Sequence, residues 1–341
     1  MPNLNFFGPS GAKGTIMSKM YGNSVPAVDL SKPSKIAYNL VVEPESGFKG
    51  EIRMTDRTSD ISRATECVAR VKSVEEYLNL IDQAFGTICN PAQGSNCELW
   101  YRGAVQQQFP LLPRIARNSL NPLFEIVFLS KFKSLVIPYV ERLPAFPLPG
   151  GLPPYWSWLF MMQHYGVPTR MLDWSLDALT ALYFATNPED ASRVQGIDAV
   201  VWVLNPVMLN EAFSFHSFLK PGYIPNVEEP SFNLFFGPNS QILSTKKPAA
   251  AIGPMNTTRI VAQRGVFTVF PHIKNLVALE DFADSSRFLF KICVAWESFD
   301  LIHTQLQHYG ITKLTLFPDI DVISNEIFLQ VMEESVETID P

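Results

Sequence analysis

Charge is scarce in this chain, and long apolar runs are missing. Of 341 residues only 18% are Asp, Glu, Lys or Arg, against 47% hydrophobic. That balance excludes global disorder and supplies ample material for a core. No apolar run approaches the roughly 18–20 residues that a bilayer crossing needs. The opening MPNLNFFGPSGAKGT has no basic patch followed by an apolar stretch, so it does not read as a secretory signal. Cysteine is rare. Cys67, Cys89, Cys97 and Cys293 stand at spacings that fit neither a CxxC metal site nor a disulfide scaffold, and a reducing, cytoplasmic setting is the expectation. The five histidines form no HExxH and no cluster at metal-ligand spacing, so no metal is expected. There is no GxSxG elbow, and no GxGxxG follows a strand. A formal charge of −6 argues against a globally basic nucleic-acid binder. Residues 101–143 nevertheless gather Arg102, Arg114, Arg117, Lys131, Lys133 and Arg142 against Glu125 and Glu141. That local excess suits either an anionic ligand or a solvated face.

What is present is organisation after residue 70. Residues 1–70 mix Gly, Pro, Ser and charge without a sustained period and read as an N-terminal extension. Within them GPSGAKGT (8–15) lacks the GxxxxGK[ST] spacing and reads as a loop, and GFKGEIRMT (47–55) as a short strand. Ser73 and Glu76 signal a capping box, and Val74, Tyr77, Leu78, Ile81 and Phe85 then predict a helix over about 74–86. CELWYRGA (97–104) predicts a buried strand carrying one arginine. Residues 121–142 have mixed helical periodicity, and LPAFPLPGGLPP (143–154) separates them from a helix, YWSWLFMMQHYG, with Gly166 as its C′ residue. SLDALTALYFAT (175–186) predicts another helix, with Ser175 as N-cap and Asp177 in its first turn. AVVWVLNP (199–206) and FLFKICVAW (288–296) read as strands, and residues 207–250 show no clear order. TRIVAQRGVFTVFP (258–271) reads as a strand pair around Arg-Gly. ESFDLIHTQLQHYGI is a helix, and KLTLFPDIDVISNEIFLQVMEE a short strand, a turn and a helix. QHYG recurs at 163–166 and 307–310 with unmatched flanks, as two independent helix ends. The irregular interleaving predicts an α+β fold.

The series Tyr101-Arg102-Gly103, Leu111-Leu112-Pro113, QHYG (163–166), Pro168-Thr169-Arg170, Leu172-Asp173-Trp174 and ALYFA (181–185) resembles the FRG domain family. Tyr stands here for Phe in the family's Phe-Arg-Gly triplet. The later AQRGVFTVF and GITKLTLFPDID look like the family's continuation, so the resemblance covers about 95–325 within a domain of 71–341. A weaker resemblance is to ADP-ribosyltransferases of the R-S-E type. In that pattern an arginine closes the first strand, a serine precedes a helix with Ala-x-x-Phe-Ala, and a glutamate lies near a later strand. Arg102, Ser175 and Gln263 fall in the same order, with Gln where the pattern carries Glu. The resemblance implies an α+β, ADP-ribosyltransferase-like core of mixed or antiparallel sheets flanked by helices. It also implies NAD as substrate, cleavage of the nicotinamide–ribose bond, transfer to a protein, a nucleic acid or water, and a toxin or defence role. No metal and no membrane partner are implied.

On that reading Arg102, His164, Asp173, Ser175 and Gln263 are the candidate catalytic group. Tyr101, Arg102, Gly103, Tyr165, Arg170, Trp174 and Tyr183 are the candidate NAD-binding group. Arg102 is a planar, always-charged donor suited to a pyrophosphate, or else an internal staple paired with Asp173. Ser175 orients a ribose hydroxyl or simply caps its helix. His164 serves as an acid or base or ends its helix. Tyr165, Trp174 and Tyr183 stack on a base or fill the core. Asp173 supplies the negative group that an oxocarbenium-like state needs, or pairs with Arg170. Two other readings stay open: a non-catalytic nucleotide-binding or structural module, and a metal-independent phosphate-ester enzyme using Arg102, His164 and Asp173. A single cleft uniting Arg102, Ser175 and Gln263 favours the transferase-like reading; scattering them favours the module.

Overall fold

A computed structural model describes residues 40–41, 53–54, 66–88, 98–117, 120–136, 138–139, 155–213, 222–238, 240, 246–255 and 257–337. All of these fall in one compact unit, residues 37–341. The expected loop at 8–15, most of the extension, and the break at 143–154 lie outside the described residues.

The strands are β1 (Leu40–Val41), β2 (Arg53–Met54), β3 (Cys67–Val71), β4 (Trp100–Ala104), β5 (Met171–Ser175), β6 (Ala199–Leu204), β7 (Ala249–Ala251), β8 (Gly265–Val269) and β9 (Leu289–Val294). The helices are α1 (Val74–Ile88), α2 (Arg114–Arg117), α3 (Glu125–Val136), α4 (Tyr155–His164), α5 (Ala178–Thr186), α6 (Pro206–Ala212), α7 (Pro230–Phe236), α8 (Thr258–Ala262), α9 (Phe299–His308), α10 (Lys313–Leu316) and α11 (Ile320–Glu337). Strands β1 and β2 pair antiparallel, apart from the rest. The other seven form one mixed sheet in the order β3-β9-β6-β4-β5-β8-β7, antiparallel throughout except for β3 beside β9. Among the described residues no helix is long and apolar enough to cross a membrane.

The sheet separates two cores. On β4 and β6 alternate residues part company: Trp100, Val200, Trp202 and Leu204 face a core shared with α4, α6 and α7. Tyr101, Val201 and Val203 face a second core shared with α1, α5 and α9. Both faces of β6 are covered, which is why AVVWVL reads as an unbroken apolar run. Helix α5 approaches β4 so closely that a Cβ on Gly103 would lie 1.9 Å from Ala181 O and 2.6 Å from Ala185 N. Only glycine fits there.

Several expectations need correction. The 258–262 half of the presumed strand pair is helix α8, because the Thr257 hydroxyl caps Ile260 N and Arg264 turns the chain at φ 48° into β8. The stretch KLTL is helix α10, set by a capping box between Thr312 and Thr315. Ser175 is not an N-cap. It ends β5, paired with Tyr101 and Gly265, and Asp177 caps α5 by accepting from Leu179 N and Thr180 N at 2.8 and 3.2 Å. The unordered 207–250 region contributes α7, β7 and most of α6. Cys67 and Cys293, unrelated by spacing, form a disulfide between β3 and β9, with Cα atoms 5.6 Å apart. Parallel pairing brings them together across 226 positions of sequence. Gly166 does take the left-handed C′ conformation at φ 76°.

Candidate functional site

The sheet is continuous on either side of β4 and β5 but not between them. Strand β4 pairs with β6 along its whole length, from Trp100 to Ala104, and β5 with β8 from Met171 to Ser175. Strands β4 and β5 pair with one another only at Tyr101 and Ser175. Beyond that point they diverge and a cavity of about 390 Å³ opens. This lies within the ~300–1,000 Å³ range of small-molecule sites.

Arg102, His164, Asp173, Ser175 and Gln263 all line this one cavity, as do Tyr101, Gly103 and Trp174. Arg170, Tyr165 and Tyr183 do not. Arg170 is 1% exposed and bound to Glu125, Tyr155, Phe236 and Phe270 in the core, so Asp173 is not its partner. Tyr165 is 58% exposed on the surface, and Tyr183 is 3% exposed against His303. Lining residues that the sequence did not single out as site residues include Arg117, Arg259, Phe184 and Phe317. Each arrives from a segment outside the quoted motifs or from their apolar part, and only the excess of positive charge over 101–143 hinted at Arg117.

The Arg102 guanidinium reaches across the split and donates from Nη1 to the Asp173 main-chain oxygen at 2.6 Å. Among the described residues this is its only hydrogen bond. Burial brings Arg102 down to about 10, Asp173 opposing and Arg117 reinforcing the shift, so it stays charged at neutral pH. Burial also raises Asp173, against the pull of Arg102 and of a hydrogen bond from Gln163. Both groups are surrounded by protein yet keep accessible surface, because they face the cavity, and water there offsets part of the desolvation. Two further guanidiniums complete the positive lining. Arg117 is lowered by burial. Arg259 pairs with Asp319 at 2.7 Å and lies 4.9 Å from the Phe317 ring centroid, leaving Nε buried without a partner. His164 is lowered by burial and then by Arg259, and its Nδ1 is likewise unpartnered. Phe317 meets Phe184 edge-on at 5.8 Å.

Other polar groups are already committed. Ser175 Oγ donates to Gln263 O at 2.7 Å and accepts from Asp177 N at 2.9 Å. Gln263 Nε2 donates to Leu316 O at 3.0 Å. Trp174 Nε1 donates to Thr268 Oγ1 at 3.1 Å, so its ring forms wall. The assembled lining is a cationic cleft with two carboxylates, Asp173 beside Arg102 and Asp190 beyond α5, and an aromatic side. It fits an anion with an attached planar ring, since guanidiniums hold phosphate oxygens and aromatic faces hold bases. Among the described residues no group of three or more His, Cys, Asp or Glu is placed to hold a metal.

Residues 97–193 match the family model of the FRG domain. The match contains Arg102, His164, Asp173 and Ser175 and ends before Arg259 and Gln263. No curated protein and no solved structure matches the chain.

Proposed function

From a chain that carries an FRG domain over residues 97–193, we propose an enzyme with an ADP-ribosyltransferase-like core that binds NAD in the β4–β5 cleft and cleaves its nicotinamide–ribose bond. The observation that carries the reading is the convergence of Arg102, Asp173, Ser175 and Gln263, from three separate parts of the chain, on one cavity. Arg102 and Arg117 hold the pyrophosphate. The Phe184–Phe317 side, with Arg259 over Phe317, receives a base. Heterolysis breaks the C1′–N bond, and the electron pair leaves with nicotinamide and neutralises its pyridinium charge. The ribosyl cation is stabilised by a neighbouring carboxylate and then captured by water or an acceptor nucleophile, which gives up a proton. Such an activity suits a toxin or defence effector.

A second reading is a non-catalytic nucleotide-binding module. It is favoured by the Ser175 hydroxyl and the Gln263 amide, both engaged in holding the fold. One experiment separates the two. Purified protein is incubated with NAD and free nicotinamide is followed, beside Arg102→Ala of verified fold and with NAD binding measured by calorimetry. The proposal expects release that is lost in Arg102→Ala. Binding without release selects the module, and neither binding nor release removes NAD altogether.

A further inference from the structure

Gln263 stands where the transferase pattern carries a glutamate, yet the cleft does hold a carboxylate. Neither Arg102 nor Arg117 forms an ion pair with Asp173 among the described residues; Arg102 takes the main-chain oxygen instead. The Asp173 carboxylate is held by a neutral amide. Gln163 Nε2 donates to Asp173 Oδ1, and Gln163 Oε1 accepts from Thr169 Oγ1 at 2.6 Å. Thr169 is buried and accepts in turn from Met171 N at 3.4 Å. A glutamine amide has one accepting and one donating end. Flipping it would set Oε1 against a carboxylate oxygen, two acceptors face to face, so the ionised carboxylate fixes the amide's orientation and the Thr169 hydroxyl donates to the end left facing it.

We propose that Asp173 is the catalytic carboxylate of this cleft and that Gln163, seated by Thr169, is its positioning residue. The inference rests on the NAD reading above for the reaction, though not for the seat itself. In the reaction Asp173 faces the ribosyl cation as the C1′–N pair leaves with nicotinamide. As the oxygen of water bonds to C1′, its proton passes to the Asp173 carboxylate and then to solvent. A neutral donor suits this task better than a guanidinium, because it orients the carboxylate without cancelling its charge. The charged groups facing Asp173 are Arg102 on β4 and Arg117 on α2. His164 at the end of α4, Arg259 on α8 and Asp190 beyond α5 line the same cavity.

The test uses the full chain with ¹³C-labelled aspartate, the Asp173 signal being assigned by Asp173→Asn. Gln163 stabilises the ionised form, so in Gln163→Ala the Asp173 titration moves to higher pH. The acid limb of nicotinamide release moves with it, the rate falling about tenfold further on the acid side than on the alkaline plateau. Thr169→Val keeps the side-chain shape and moves both in the same direction by less; it carries the test should Gln163→Ala fail to fold. A merely structural role lowers the whole profile without moving its limb, and that result overturns the proposal. So does an Asp173 titration unchanged in both variants. A titration that moves in a protein releasing no nicotinamide overturns the catalytic half and the NAD reading while the Gln163 seat stands.

Discussion

Arg102 and Arg170 are both enclosed arginines next to the same strand, and they are treated in opposite ways. Arg170 spends its donors on Glu125 Oε2 at 2.8 Å, Phe270 O at 2.9 Å, Phe236 O and, at 3.5 Å, Tyr155 Oη, with Trp156 beneath it at 5.3 Å. Arg102 makes one hydrogen bond and opens toward a cavity. An enclosed guanidinium is tolerated only when it is paired, or when it waits for a partner. Saturation therefore marks the arginine that joins α3, α4, α7 and the β8 end. Incompleteness marks the one available to a ligand. The short QHYGVPTRMLDWS segment contains both kinds of residue: Arg170 and Thr169 point into the fold, while Gln163, His164 and Asp173 line the cleft.

The largest effect should come from the saturated site. Glu125→Ala leaves Arg170 charged, buried and without its carboxylate, which costs about 3–5 kcal/mol. Urea unfolding should record that loss. Arg102→Ala, by contrast, should cost only about 1.5–3 kcal/mol, the worth of one hydrogen bond from a charged donor. Equal losses would break the comparison and make Arg102 a second staple.

Ligand linkage sharpens it. At a hundredfold excess over Kd, NAD should stabilise the wild-type chain by about 2.7 kcal/mol. Arg102→Ala should lose that gain, and Tyr165→Ala, on the exposed surface, should keep it. Thermal melts with and without NAD read both. Next in size is Gly103→Ala. Its methyl group would meet Ala181 O at 1.9 Å, and pushing α5 off β4 should cost about 1–3 kcal/mol and widen the cleft. A Gly103→Ala chain as stable as wild type would show that α5 is free to shift.

Much of this frame was legible in the sequence where one periodicity dominates. Helix α1, strands β4, β6 and β9 and the Gly166 end of α4 follow from spacing alone. The errors arose where side chains overrule a β-rich composition. TRIVA and KLTL look like strands, but Thr257 and Thr312 satisfy the first free N–H groups of short helices. The cap of α5 falls at Asp177, two residues past Ser175, because pairing to Tyr101 and Gly265 keeps Ser175 in the sheet. In the site, Arg102 in one motif and Asp173 and Ser175 in another are visible as residue types. Arg117, Arg259 and Phe317 are not, since the splaying of β4 from β5 is a property of pairing that no local pattern encodes. The role of Gln163 is hidden for another reason: its two partners, Thr169 and Asp173, lie beyond the 165–166 turn that ends α4, and the path of that turn has first to be known.

The smallest effect is a pH dependence, and it divides the molecule along the same line. His164, His272 and His303 are all lowered, by burial first and then by Arg259, Arg170 and Arg193 respectively. Each has one ring nitrogen buried without a partner. A histidine held below its ordinary value of about 6.5 takes its proton more readily when unfolded, so its contribution is complete above that pH and is lost as pH falls through the folded value. Asp173 and Glu280 are raised by burial and act in the reverse sense, gaining protons in the native state before the unfolded one does. With the three histidines setting the slope, the melting temperature should fall between pH 7.5 and 5.5. The fall should be at most about 2–4 °C, because each ring is only half enclosed and water screens it. His164→Gln should remove part of that slope and, being in the cleft, should also alter NAD-induced stabilisation; His303→Gln should change the slope alone. A melting temperature that instead rises on acidification would mean that Asp173 and Glu280 outweigh the histidines. The cleft carboxylate would then be protonated in the very range where a charge opposite the ribosyl cation is needed, and the open arginines would face a binding site without its chemistry.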